Sequence, residues 1–160
     1  MQLNTLAKEI GELLRQKGLT LGVVESATGG LLSHAVTNIP DSSDYYKGSV
    51  TSYSNEIKMK VIGVTAGTLE KYGAVSSQVA EEMANGGRRL LDVDICIADT
   101  GIAGPGGATP DKPVGLFYLG LADARSVLSQ RHRFYGDREQ NKESAAEAAL
   151  MWIKEYLLGL

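Results

Sequence analysis

The chain has 160 residues and a mass of 17.1 kDa, enough for one compact domain over residues 1–160 that buries about 68–70% of the surface exposed by its unfolded chain. A hydrophobic fraction of 43%, a charged fraction of 22% and a mean hydropathy of −0.10 exclude a disordered or fibrous chain. With 16 basic against 19 acidic residues, the net charge of −3 excludes the broad basic surface that a nucleic acid requires, so any anion must be bound locally.

The single cysteine, Cys96 in VDICIAD, cannot close an intramolecular bridge and reads as a small core residue. Its reduced state fits a cytoplasmic location. The N-terminal MQLNTLAKEI lacks the basic and apolar runs of a secretory signal. The longest apolar stretch, Leu116 to Ala122, falls far short of the roughly 20 residues needed to cross a bilayer, so no membrane partner is expected.

In chain order, Leu3, Leu6, Ala7, Ile10, Leu13 and Leu14 mark one stripe of a helix that stops at Gly18. LTLGVVE is predicted to be a strand, SATGG a turn, and LLSHAVTNI a helix. PDSSD is a turn, and Tyr45 to Ser54 form a second strand rich in Tyr, Val and Thr. Asn55 is expected to cap a short helix, NEIKMKVI, which Gly63 ends. A helical turn near TLEKYG precedes a longer helix, capped by Ser76 or Ser77, with Val79, Met83, Leu90 and Leu91 on its buried side and its end near Asp92.

VDICIAD is predicted to be a third strand with Val93, Ile95 and Ile97 on one face; it runs into TGIAGPGGATPDKP, the stretch densest in glycine and proline. VGLFYLGLA and SVLSQRHRFY form a hairpin joined at Asp123 and Ala124. Asp137 is expected to cap the last helix in a box with Gln140, with Ala145, Ala149, Trp152, Ile153 and Tyr156 buried. This order predicts an α/β domain of three layers, a mixed sheet with helices on both faces. Ligands in such folds lie beyond the carboxyl ends of the strands, where SATGG, SYSNEIK and TGIAGPGG converge.

Within ESATGG, a helix starting at Gly29 or Gly30 leaves free N–H groups that cradle an anion or oxyanion, and Ser26 stands just ahead as a candidate nucleophile. The plainer alternative is that Ser26 or Thr28 caps the helix. A nucleophilic serine needs a base. His34 lies in the following helix and His132 in a strand between Arg131 and Arg133, facing solvent; neither is well placed, and two isolated histidines do not make a zinc site.

A lysine with a lowered pKa can take the role, and Lys58 or Lys60 follow the second strand. Their side chains differ by roughly 200° around a helix, so only one faces the cleft. Tyr53 either packs or donates a hydrogen bond to developing charge. TGIAGPGG either connects elements or wraps a polar ligand through its N–H groups. Arg138, with Lys142 one turn later, is either a surface residue or a phosphate ligand.

ESATGG, YSNEIK, GAVSSQVAEEMANGGRR, TGIAGPGGATPDKPVGL and GDRE, in this order and covering nearly the whole chain, resemble the C-terminal domain family of competence/damage-inducible protein CinA. Stand-alone members of that family are nicotinamide-nucleotide amidohydrolases. The resemblance implies deamidation of nicotinamide mononucleotide to nicotinate mononucleotide and ammonia, in pyridine nucleotide recycling, with no metal or organic cofactor. It implies Ser26 as nucleophile, Lys58 as base and Tyr53 as an assisting group. Thr28, Gly29, Gly30, Thr100, Gly101 and Gly104 would line the substrate, and Arg138 would hold its phosphate. Relatives of this kind tend to associate, so a homo-oligomer is expected. Two departures from the family pattern stand out: Ala27 where cysteine is common, and Lys142 where a second arginine is usual. The larger N-terminal domain fused in full CinA proteins has no counterpart in this sequence. A non-catalytic module that binds a pyridine nucleotide or a protein is the alternative reading.

Overall fold

In a computed structural model that describes residues 2–160, five strands form one mixed sheet in the order β2-β1-β3-β4-β5. The central strands β1 (Leu21–Glu25) and β3 (Ile95–Gly101) are parallel neighbours, and β2 (Tyr46–Thr51) lies parallel to β1 on its other side. The antiparallel hairpin of β4 (Leu116–Ala122) and β5 (Val127–Arg133) completes the sheet beside β3. Asp123 turns the hairpin, its carboxylate accepting the N–H groups of Arg125 and Ser126, so the connection is longer than Asp123 and Ala124 alone.

Both faces are covered, as alternation predicts for a sheet this apolar. On one face, Leu21, Val23, Ile95, Ile97, Leu119 and Leu121 pack against α1 (Gln2–Lys17), α2 (Leu31–Thr37) and α6 (Arg138–Leu158). On the other, Val24, Cys96 and Ala98 meet Val79, Met83 and Ala84 of α5 (Ser77–Leu91). Each such aliphatic side chain contributes about 1.5–3 kcal/mol when fully buried. α5 sits unusually close to the sheet at Gly120, where an added Cβ would stand 2.1 Å from the Ala80 carbonyl oxygen. The three-layer expectation holds.

Some local expectations need correction. Val93 lies before β3 and packs on the α5 side, opposite Ile95 and Ile97, because the chain has not yet entered the sheet. Leu90 is 51% exposed at the end of α5, while Leu91 is partly buried. Ser54, one residue earlier than expected, caps α3 (Asn55–Ile57), accepting the Ile57 N–H at 3.1 Å. Ser76 caps α5, and Asp137 and Gln140 form the expected box at the start of α6. Trp152 and Tyr156 are only partly buried beside Ala145, Ala149 and Ile153. TLEKYG belongs to a regular helix, α4 (Ala66–Tyr72), capped by Thr65.

Candidate active site

The carboxyl ends of β2, β1 and β3 lie side by side, and the turn after β1 is the centre of the site. Gly29 and Gly30 adopt φ of 60° and 105°, a region where a side chain is strained, which fixes glycine at both positions. Neither Ser26 nor Thr28 caps α2. The cap is Glu25, the last residue of β1, whose buried carboxylate accepts the N–H groups of Gly30, Leu32 and Ser33 at 3.2, 2.9 and 3.1 Å. That substitution leaves the Ser26 hydroxyl free for chemistry.

Asp99, near the end of β3, completes the turn from beneath. Its Oδ1 accepts the Thr28 N–H at 3.1 Å and its Oδ2 the Ser26 N–H at 3.4 Å. The Thr28 hydroxyl lies between the two acids, 2.6 Å from Glu25 Oε1 and in contact with Asp99 Oδ2. Burial pushes the Asp99 carboxyl up to about 6, with its hydrogen bonds from Thr28 and Ser26 opposing and the Glu25 charge adding to the rise.

Lys58 opens a π-helical turn, Lys58–Ile62, that Gly63 ends. It is only 2% exposed, and its Nζ lies 2.9 Å from Ser26 Oγ, 2.9 Å from the Ser52 carbonyl oxygen and 2.9 Å from that of Tyr53. Lys60 is exposed, so the structure selects between the two lysines. Burial lowers the Lys58 pKa, and the nearby Asp99 charge acts against that shift. In the neutral amine, two N–H bonds serve the two carbonyls and the lone pair meets the Ser26 hydroxyl proton. In that form the contact could pass a proton from the hydroxyl to the amine.

Ser26 and Lys58 open onto a cleft of about 330 Å³ that Tyr53, Thr100, Gly101, Gly104 and Arg138 also line. Arg138 Nη1 donates to the Gly104 carbonyl oxygen at 2.7 Å, and its Nη2 lies 3.4 Å from the Tyr53 hydroxyl. Thr100 donates its hydroxyl proton to the Ala74 carbonyl oxygen at 2.7 Å, so toward the cleft it can only accept. The expectation for Thr28, Gly29 and Gly30 is corrected: they lie behind the wall. Thr28 is held by Glu25 and Asp99, the Gly29 N–H donates to the Ser26 carbonyl oxygen at 3.1 Å, and the Gly30 N–H donates to Glu25. Ala27 does line the cleft, and its N–H finds no acceptor among the described residues.

Elsewhere, His34 is exposed on α2. His132 is half-buried rather than solvent-facing, stacked on Phe134 with ring centroids 5.6 Å apart, and burial lowers its pKa. The Cys96 thiol is a buried core group pushed up to about 12. Among the described residues, no group of three or more His, Cys, Asp or Glu is placed to hold a metal ion, and no helix is long and apolar enough to cross a membrane. Sequence patterns assign no role to Glu25 or Asp99. The available signal was an acidic residue near the carboxyl end of each of two apolar runs, LGVVE and ICIAD.

A family model described as the CinA C-terminal domain matches residues 3–157. The chain is 50% identical over 147 residues to a putative competence-damage inducible protein of Moorella thermoacetica, covering 92% of this chain and 36% of that one. A putative competence-damage inducible protein of Halothermothrix orenii is 46% identical over 96% of this chain and 37% of its own length. The chain thus spans little more than a third of the curated relatives it matches. A crystal structure of a CinA superfamily protein from Klebsiella pneumoniae superposes with a TM-score of 0.96 at 32% identity, covering 99% of each chain. The competence/damage inducible protein of Agrobacterium tumefaciens gives 0.92 at 35%, covering 96% of this chain and 94% of that one.

Proposed function

Since the chain belongs to the CinA C-terminal domain family, we propose that it is an amidohydrolase that converts nicotinamide mononucleotide to nicotinate mononucleotide and ammonia, with Ser26 as nucleophile and Lys58 as base. The observation that carries this reading is the buried 2.9 Å contact between Lys58 Nζ and Ser26 Oγ. A desolvated lysine is a costly thing to hold against a serine for packing alone, and desolvation is what favours the neutral amine that can accept a proton at moderate pH.

Ser26 Oγ attacks the amide carbon while its proton passes to Lys58 Nζ. The tetrahedral oxyanion takes the Ala27 N–H as a donor, in place of the committed N–H groups of Gly29 and Gly30. The C–N bond breaks, the departing nitrogen takes the proton from Lys58, and ammonia leaves. Water then gives a proton to Lys58 and attacks the ester. Collapse of that second intermediate returns the proton from Lys58 to Ser26 Oγ and releases the carboxylic acid, which gives its proton to solvent to become the carboxylate.

Arg138 stands on the opposite wall at the start of α6, where its guanidinium and the helix end favour the phosphate of the mononucleotide. Tyr53, whose ring edges the mouth, assists by orienting Arg138 and the ligand between them. Incubating the purified protein with nicotinamide mononucleotide should release ammonia. Tight binding of the mononucleotide without ammonia over hours would replace the enzyme by a binding module, and turnover of other phosphorylated amides in its place would move the substrate.

A further inference from the structure

The Thr28 hydroxyl has one proton and two carboxyl neighbours, Glu25 Oε1 at 2.6 Å and Asp99 Oδ2. It can donate to one of them only, and it must accept from the other. Two ionised carboxylates around one hydroxyl would leave one oxygen facing another with no hydrogen between them, inside a site where all three side chains are buried. One of the acids therefore supplies a proton.

The surroundings say which. Glu25 accepts three backbone N–H groups at the start of α2, so both of its oxygens are already engaged as acceptors. Asp99 accepts two, and unequally: the shorter bond, 3.1 Å from the Thr28 N–H, falls on Oδ1, and the longer, 3.4 Å from the Ser26 N–H, falls on Oδ2, the oxygen that faces Thr28 Oγ1. Oδ2, the less engaged acceptor of the two, is therefore the oxygen better placed to bear a hydrogen toward Thr28 Oγ1.

We propose that Asp99 is carried as the neutral acid, donating to Thr28, which donates in turn to an ionised Glu25, and that Asp99 so serves as a positioning residue that holds the Ser26 turn without placing a negative charge near Lys58. The inference about the proton is independent of the substrate. Its consequence for rate rests on the Ser26 and Lys58 chemistry proposed above.

The charged groups that act on Asp99 are Glu25 from β1 and Lys58 from the turn after β2; Lys142 of α6 approaches only the outer side of the turn at Gly29. With Thr28 donating to Asp99, burial and Glu25 already raise its carboxyl. Once that hydroxyl donates to Glu25 instead, the bond favours the acid and the rise is greater. A charged Asp99 opposes the lowering of the Lys58 pKa that burial produces. A neutral one leaves Lys58 free to act as base.

Infrared spectroscopy of the unliganded full chain at neutral pH provides the direct test. A protonated-carboxyl C=O band is expected, shifted by carbon-13 labelling of aspartate, unmoved by labelling of glutamate, and absent from Asp99→Asn. No such band at neutral pH, or one that follows the glutamate label, overturns the proposal, and neither result depends on activity or on any variant folding. In amide hydrolysis, Asp99→Asn preserves the donor to Thr28 and the acceptor for its N–H, so kcat/KM should stay within about tenfold of the parent with its acid limb unmoved. Asp99→Ala should lose far more. An acid limb that moves to lower pH in Asp99→Asn shows that the parent carried charge there and sinks the idea. If no amide is turned over at all, the reading of function fails and the infrared result still decides where the proton is.

Discussion

On the wall of the cleft built from the ends of β1, β2 and β3, Ser26 and Lys58 are buried and bonded to each other, with buried Thr28 and Asp99 holding the Ser26 turn from behind. On the facing wall Arg138 is exposed, and the side chain of Tyr53, which follows β2 and is 63% exposed, reaches it with one long contact of 3.4 Å. The first wall is set before any ligand arrives, as a reacting pair must be. The second leaves most of the Arg138 donors uncommitted, one being held by the Gly104 carbonyl oxygen, as the proposed recognition of a mobile phosphate requires. On the proposed function, chemistry and recognition are thus divided between a dry wall and a wet one.

The sharpest way to break this division is at its dry side. Ser26→Ala or Lys58→Ala should lower kcat by about 10³-fold or more with circular dichroism unchanged, because nucleophile and base act as a unit. A Ser26→Ala protein that releases ammonia at the parent rate removes Ser26 from the mechanism. The dry wall also sets the pH response. On the proposed mechanism the active base is the neutral amine, so kcat/KM should rise with pH by about tenfold per unit below the Lys58 pKa. It should level off below the usual lysine value of about 10.4, since burial lowers that pKa.

Stability follows with the same sign. Between the lowered folded value and the ordinary unfolded one, the unfolded chain binds the proton that folded Lys58 does not, so stability rises with pH across that window. Urea midpoints measured through the window should show this slope in the parent and lose it in Lys58→Met.

At the wet wall the effects should be smaller and should fall on binding. Arg138→Ala is expected to raise KM by about 10- to 100-fold with kcat little changed, more so at low salt, as one charge-assisted contact is lost. A matching loss in kcat would place Arg138 in the chemical step. Tyr53→Phe, which removes only the long contact to Arg138, should cost less than about tenfold. Lys60→Ala should change neither rate nor melting by more than about 0.5 kcal/mol, its exposed neighbour position being the control for Lys58.

Much of this was legible in the linear pattern. Apolar periodicity located α1, α5 and α6, the strands fell close to their predicted positions, and the box at Asp137 and Gln140 formed as read. Cap chemistry was legible only to within a residue, as at Ser54, because several adjacent side chains could accept the same N–H. The face of Val93 and the exposure of Leu90 were misread, since both lie at element ends where periodicity no longer fixes direction. The glycines of SATGG were rightly seen as a tight turn, but their N–H groups were assigned to substrate when Glu25 and Ser26 already use two of them.

Short-range chemistry along the chain determined the helices, the strands, the glycine turns and the short roster of serine, lysines, tyrosine and arginine from which a site could be made. Which lysine meets the serine, and that two acids from different strands close on one threonine, depended on the sheet order placing β2, β1 and β3 side by side. Contacts between residues 26 and 58, or 28 and 99, leave no local trace, because the free energy that selects them comes from burying the whole sheet between its helices.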